Sequence, residues 1–206
     1  MSSEHQRADL ERQQADLRAA YPEHELVEWG AGDVTRLTRL CHAHDRLQSR
    51  WSQPGVRHRR RYRLQRAGRR ILAKVHDLVR DLHRRLARWL CEGYRAIVLP
   101  PFETQRMAMR IHRRIRGKTA RAMLTWSHYT FRRHLLFKAA EHPWCRVHVH
   151  TEEYTTATCG CCGHLNRRVG GSKLFRCPAC GYQADRDANG ARNLGLKFLT
   201  ALLVRP

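Results

Sequence analysis

Apolar residues recur at three- and four-residue spacing along much of this chain. Within residues 57–93, Ile71, Val75, Leu78, Leu82, Leu86 and Trp89 form a continuous stripe, the signature of an amphipathic helix. A shorter stripe of Leu37, Leu40, Cys41 and Leu47 predicts a helix to about residue 50. Asp33 is its candidate N-cap, after a Gly30-Ala31-Gly32 turn, and Pro54-Gly55 ends it. Residues 25–29 and 95–99 read as short strands, the second stopped by Pro100-Pro101. Residues 119–140 are predicted as one helix whose apolar side is Met123, Trp126, Phe131, Leu135 and Ala139. Alternation of Val147 and Val149 with His148 and His150 predicts a strand, and residues 188–203 a final helix. This order predicts an α/β sheet with a small module inserted before its last helix.

Charge changes the picture from a plain enzyme-like domain to a polyanion partner. The 206 residues carry 40 Lys and Arg against 18 Asp and Glu, a net charge of +22. Such an excess repels itself in a compact fold unless a polyanion offsets it, which favours nucleic acid. Residues 1–28 run the other way, with seven acids and three arginines. Residues 1–25 are therefore read as an acidic lead-in, a frayed helix or a disordered segment. The first part of the long helix is extreme. Arg57, Arg59, Arg60, Arg61, Arg63, Arg66, Arg69 and Arg70 occur with no acid among them. A second acid-free patch contains Arg110, Arg113, Arg114, Arg116 and Lys118. Both are candidate phosphate tracks. No apolar run approaches the ~18 residues needed to span a bilayer, and the start is too polar for a secretory signal. The expected location is intracellular, in the cytoplasm or nucleoid of a prokaryote or the nucleus of a eukaryote, with no membrane partner.

Eight cysteines sharpen the chemistry. Four follow the pattern Cys159-x2-Cys162-x14-Cys177-x2-Cys180, with Gly163 and Gly181 behind the second cysteine of each pair. Two CxxC knuckles at this spacing predict a zinc ribbon over residues 156–184, too small to bury a core without its structural Zn2+. Cys161 leaves a register alternative to Cys162, which Gly163 decides in favour of Cys162. His164 is set aside because four cysteines fill the tetrahedron. Phe175 and Tyr182 suit either base stacking or ribbon packing. Arg167, Arg168, Lys173 and Arg176 place more positive charge on the ribbon. Cys41, Cys91 and Cys145 are expected to be buried apolar residues.

Acids are scarce after residue 28, and two groups flank the ribbon: Glu152-Glu153 and Asp185-Arg186-Asp187. Paired carboxylates that hold divalent metal suit phosphodiester cleavage, whereas Asp187 equally suits a helix cap. Residues 152–159, the two knuckles and the run Asp185-Arg186-Asp187-Ala188-Asn189-Gly190-Ala191-Arg192-Asn193 resemble the C-terminal half of TnpB proteins. These are transposon-encoded, RNA-guided DNA nucleases related to Fanzor proteins and miniature type V CRISPR effectors. Ile97-Val98-Leu99-Pro100-Pro101-Phe102-Glu103-Thr104 and residues 118–128 carry the same resemblance.

The resemblance implies an incomplete RuvC-like, RNase H-type domain over residues 26–155, with the inserted ribbon and a closing segment at 185–206. It implies DNA and guide RNA as partners. It assigns Glu152, with Glu153 as its substitute, and Asp187 to the catalytic metals. The family's first aspartate lies in a DxG segment that this sequence lacks, and Asp9 and Asp16 stand in a glycine-free polar pattern. The expectation is binding without cleavage by this polypeptide, Mg2+ entering only if a missing part completes the set. The alternatives are an active endonuclease completed in that way and a basic zinc-ribbon repressor or RNA-binding adaptor.

Overall fold

The computed structural model describes residues 27, 29–101, 117–170 and 172–203. The chain divides into two compact units. One comprises residues 28–97 and 102–147, and the other residues 1–27, 98–101 and 148–206. The expected lead-in at 1–25, most of the strand at 25–29, and Arg110, Arg113, Arg114 and Arg116 fall outside the described residues, as does the side chain of Lys118.

In the first unit, α1 (Ala31–Trp51) packs along α2 (His58–Gly93), and Leu37, Val75 and Val79 form the seam with Leu40, Cys41, Leu78 and Trp126 against them. Of the stripe read from the sequence, Val75 and Leu82 are buried and Ile71, Leu78, Leu86 and Trp89 half-buried, while Val79, Ala87 and Cys91 are buried beside them. The cap of α1 differs from expectation. Gly30, at φ 81°, is the N-cap residue, and Asp33 lies inside the first turn. Its carboxylate instead meets Arg85 of α2 at 3.3 Å. The glycine is required because the chain turns there against Leu82, whose methyls would stand 3.2 Å from a Cβ.

The predicted helix over 119–140 is two helices, α3 (Gly117–Trp126) and α4 (His128–Ala140). Ser127 breaks them with φ 46°, its hydroxyl 2.7 Å from that of Thr130. The break is anchored by His83, which is 5% exposed and donates Nε2–H to Trp126 O at 2.9 Å. Strands β1 (Ala96–Leu99) and β2 (Arg146–Val149) pair. Arg146 N–H donates to Arg95 O and His150 N–H to Leu99 O, an advance in the same direction on both strands that makes the pair parallel. Parallel pairing demands a long crossover, here the α3–α4 segment. Among the described residues the strands form two two-stranded sheets, so the expected mixed α/β content is present.

In the second unit, β3 (Leu174–Arg176) and β4 (Gln183–Asp185) pair antiparallel, Phe175 opposite Ala184. Helix α5 (Arg186–Leu203) follows directly. Its Phe198 is buried with its ring centroid 4.5 Å from that of His148.

Two predictions follow from the first unit. A Cβ on Gly68 would lie 2.6 and 2.7 Å from atoms of the Trp51 ring. Gly68→Ala gains about 1 kcal/mol of helix propensity but overpacks by about 1–3 kcal/mol. A net loss of about 1 kcal/mol is expected in urea unfolding. Burial is the main cause that takes the His83 imidazole down to about 4, reinforced by His134 and His128 and opposed by its bond to Trp126 O. The folded state therefore holds His83 neutral while the unfolded chain takes up a proton near pH 6.5. Stability is complete above about pH 6.5 and is lost as pH falls toward about 4. The urea midpoint should drop by the equivalent of about 2–3 kcal/mol between pH 7 and pH 4.5, and His83→Gln should flatten that dependence.

Candidate metal centre and its scaffold

The two knuckles have the same local hydrogen bonding. Gly163 N–H donates to Cys159 O at 3.0 Å and Gly181 N–H to Cys177 O at 3.1 Å. Cys159 N–H then donates to His164 O at 2.9 Å, and Cys177 N–H to Tyr182 O at 2.8 Å. Both glycines take positive φ, 75° and 72°, which lets each turn reverse behind its second cysteine.

These turns bring four sulfurs together. The metal-ligating atoms of Cys159, Cys162, Cys177 and Cys180 all lie within 4.8 Å of one another, a group able to hold a metal ion. Cys159 Sγ is 3.7 Å from Cys180 Sγ, and Cys162 Sγ is 3.7 Å from Cys177 Sγ. Sulfurs about 2.3 Å from a tetrahedral ion would be about 3.8 Å apart, so the cradle has the right size. Cys162, and not Cys161, belongs to this group. Burial opposes ionisation of Cys177, yet hydrogen bonds from the backbone of Cys180 and Ala179 and from neighbouring thiols bring it down to about 6. The backbone of Tyr182 favours the Cys180 thiolate, but burial and the other three thiols push that group up to about 12. A bound cation would favour the thiolate form of its sulfur ligands.

The cradle rests on residues to which the sequence reading gave no structural role. Asn189 and Asn193 lie one turn apart on α5, both buried. Asn189 Oδ1 accepts Gly160 N–H at 2.9 Å, and its Nδ2 donates to Thr158 O at 2.8 Å. Asn193 Nδ2 donates to Thr155 O at 2.9 Å and Thr158 O at 2.7 Å, and Arg192 donates to Gly160 O. The carboxamides thus satisfy backbone groups of the segment entering the first knuckle, groups that would otherwise be buried unpaired. Two asparagines four apart in an otherwise ordinary helix were the available signal, since asparagine is a poor helix-interior residue. Phe175, 1% exposed, packs against Cys159 and Cys177, with Val169 and Tyr182 around it. Its ribbon-core role stands and base stacking by Phe175 does not.

The carboxylates are arranged differently from the cysteines. Asp185, not Asp187, caps α5: its Oδ1 accepts the N–H groups of Asp187 at 2.9 Å and Ala188 at 3.0 Å. The Asp187 side chain is exposed and 3.5 Å from the Arg186 guanidinium. Glu152 and Glu153 are exposed, and the Glu152 backbone carbonyl accepts the Thr155 hydroxyl at 2.8 Å. Among the described residues, the cysteines are the one group of three or more metal-ligating side chains gathered to metal-binding distance. Arg167, Arg168, Lys173 and Arg176 are exposed on the ribbon. As expected, Cys91 and Cys145 are buried, whereas Cys41 is half-buried.

Asn189→Ala removes one acceptor and one donor from buried partners, a loss of about 2–4 kcal/mol. The variant should surrender its metal to a chelating dye at least tenfold faster than the parent, while Asn189→Gln, too long for the slot, should not restore it.

Residues 128–194 match the family described as Cas12f1-like, TNB domain. A putative transposase of Paramecium bursaria Chlorella virus 1 is 41% identical over 139 residues, covering 67% of this chain and 31% of the relative. A TnpB-like protein of Acanthamoeba polyphaga mimivirus is 28% identical over 149 residues, covering 71% and 28%. The CRISPR-associated endodeoxyribonuclease Cas12f1 of Sulfoacidibacillus thermotolerans is 33% identical over 91 residues, covering 43% and 21%. The chain spans less than a third of the length of each of these relatives. The ribbon geometry, the matched domain and these alignments agree: the chain belongs to the TnpB-like family.

Proposed function

We propose that this polypeptide binds DNA and guide RNA through a Zn2+-supported ribbon and an arginine track on α2, and that by itself it does not cleave. The RuvC-like origin of the surrounding elements belongs to this reading. The observation that carries it is the division of charge within one helix. In the later part of α2, three of the four arginines are answered: Arg80 by Asp77, Arg85 by Asp81 and Asp33, and Arg88 by Glu92. In the first part, all eight arginines from Arg57 to Arg70 are exposed, and none is ion-paired among the described residues.

That arrangement is unfavourable without a ligand. Arginine pairs such as Arg59 and Arg63, or Arg66 and Arg70, each cost about 0.2–0.5 kcal/mol. The N-cap is Arg57, with no side-chain cap bond and no acid in the first turn. Positive charge there opposes the helix dipole. Phosphate groups would relieve both penalties at once, because a helix N-terminus and guanidinium forks both prefer anions. Arg110, Arg113, Arg114, Arg116 and Lys118 are proposed as a second phosphate track.

Zn2+ is favoured over other ions by four thiolates at tetrahedral spacing. Non-cleavage is supported by the sequence, which holds Glu152 and Asp187 but no DxG aspartate to complete a Mg2+ site. The printed name of the Cas12f1 relative supplies DNA as the expected target, and the family resemblance supplies RNA.

Affinity should fall steeply between about 50 and 200 mM salt as counterions are released. Replacing Arg59, Arg60 and Arg63 with Gln should weaken binding to every sequence alike and lower the log–log salt slope by up to about three. Salt-independent affinity would refute the reading. Incubation with Mg2+, guide RNA and matching DNA should give no cleavage product, and any product that disappears in Asp187→Ala would establish the nuclease instead.

A further inference from the structure

Helix α5 buries one side only. Phe198 is buried and Leu194 and Ala201 are half-buried, and these three share one arc of the helix. Leu196, Leu199 and Leu203 follow at i, i+3 and i+7 on the opposite arc. All three are exposed, Leu199 by 54% and Leu203 by 86%. Leu196 also lines a groove of about 570 Å3 together with Tyr154, Cys161 and Arg192. Tyr154 is itself exposed, on a backbone with φ 64°. A single exposed leucine is ordinary, whereas three on one arc beside a groove form a surface suited to a partner.

We propose that the acidic lead-in, residues 1–25, docks as an amphipathic helix on this outer face of α5. Residues 1–27 fall in the same unit as α5. Leu10 and Leu17 have the same seven-residue separation as Leu196 and Leu203, the repeat at which two helices keep a shared apolar seam. As a helix, Leu10 to Tyr21 would run about 18 Å, against about 10 Å from Leu196 to Leu203, so the segment is long enough to cover the stripe. Pro22 ends such a helix at Tyr21. Charge selects this occupant over a second copy of the chain. Residues 1–25 hold six acids and three arginines, a net charge of −3, whereas residues 148–203 hold seven Lys and Arg against four acids, a net charge of +3. A second copy would bring two chains of net charge +22 together, and that repulsion opposes pairing through so short a stripe. The contact needs no nucleic acid, so it stands apart from the function proposed above.

The test uses the full chain with a photoreactive benzoylphenylalanine in place of Leu199, irradiated without nucleic acid and mapped by mass spectrometry of tryptic peptides. Leu199 is exposed, so the replacement leaves the core untouched. The expected product has the mass of one chain and joins position 199 to a peptide from residues 1–25. Leu10→Asp/Leu17→Asp should lower its yield about tenfold or more, because two leucines lose their burial. Leu10→Met/Leu17→Met keeps the apolar stripe and should keep the product. A product of twice the chain mass would give the face to a second copy and overturn the proposal. Cross-linking elsewhere in the chain, or none, would overturn it as well and leave the face to another protein. An unchanged yield in the aspartate pair would overturn the seam.

Discussion

The knuckle that carries Cys159 and Cys162 has no core of its own, and its backbone must be satisfied from outside. Asn189 and Asn193 do this from α5, filling the amide and carbonyl groups of residues 155–160 while buried themselves. A buried carboxamide is tolerable only when its donors and acceptors are matched, so the contact is demanding in both directions. The ribbon cannot shift without stranding the asparagines, and α5 cannot rotate without stranding the ribbon. Asp185 fixes where that helix begins, and Gly190 lets it approach, with Thr156 Cγ2 only 3.0 Å from where a Cβ would stand. The sulfur cradle, the final helix and the strand pair β3–β4 are thereby one mechanical object.

The first unit is governed by a different economy. Its helices are held by an ordinary apolar seam, and its charges are sorted along the length of α2. In the later part of α2, Asp77, Asp81 and Glu92 of the same helix and Asp33 of α1 pair with arginines; among the described residues the arginines from Arg57 to Arg70 have no such pair. Surface ion pairs contribute little individually, so their meaning here lies in contrast. The contrast is between a part of the helix where most arginines are ion-paired and a block of eight that, among the described residues, is exposed and without ion pairs.

Much of this was legible in the residues. The stripe on α2 named its buried face because burial alone determines which positions at helical spacing are apolar. The CxxC pairs and their trailing glycines named the cradle, down to the choice of Cys162 over Cys161, because a positive-φ position leaves a glycine behind it. Failures arose where two local solutions were equally good. Gly30 and Asp33 could each begin α1, and Asp33 was drawn off by Arg85 on another helix. Asp185 and Asp187 could each cap α5, and the one that did was decided by where β4 ended. The break at Ser127 showed in the stripe only as the five-residue step from Trp126 to Phe131, and the left-handed turn is held by a contact from α2. Asn189 and Asn193 were read only as part of the run that carries the family resemblance, and their burial depends on partners some thirty residues earlier.

The asparagine contact has a consequence for how the second unit responds to its ion. A cation clasped by four sulfurs closes the loop from 159 to 180 and keeps its two ends within reach of the same helix. The carboxamides then meet their backbone partners at the high local concentration of a short tether. Without the ion, the same stretch is a slack linker, and each re-docking of the helix must close it again. Metal loss would therefore register first as faster amide exchange at Gly160 and in the opening turns of the last helix, well away from any sulfur.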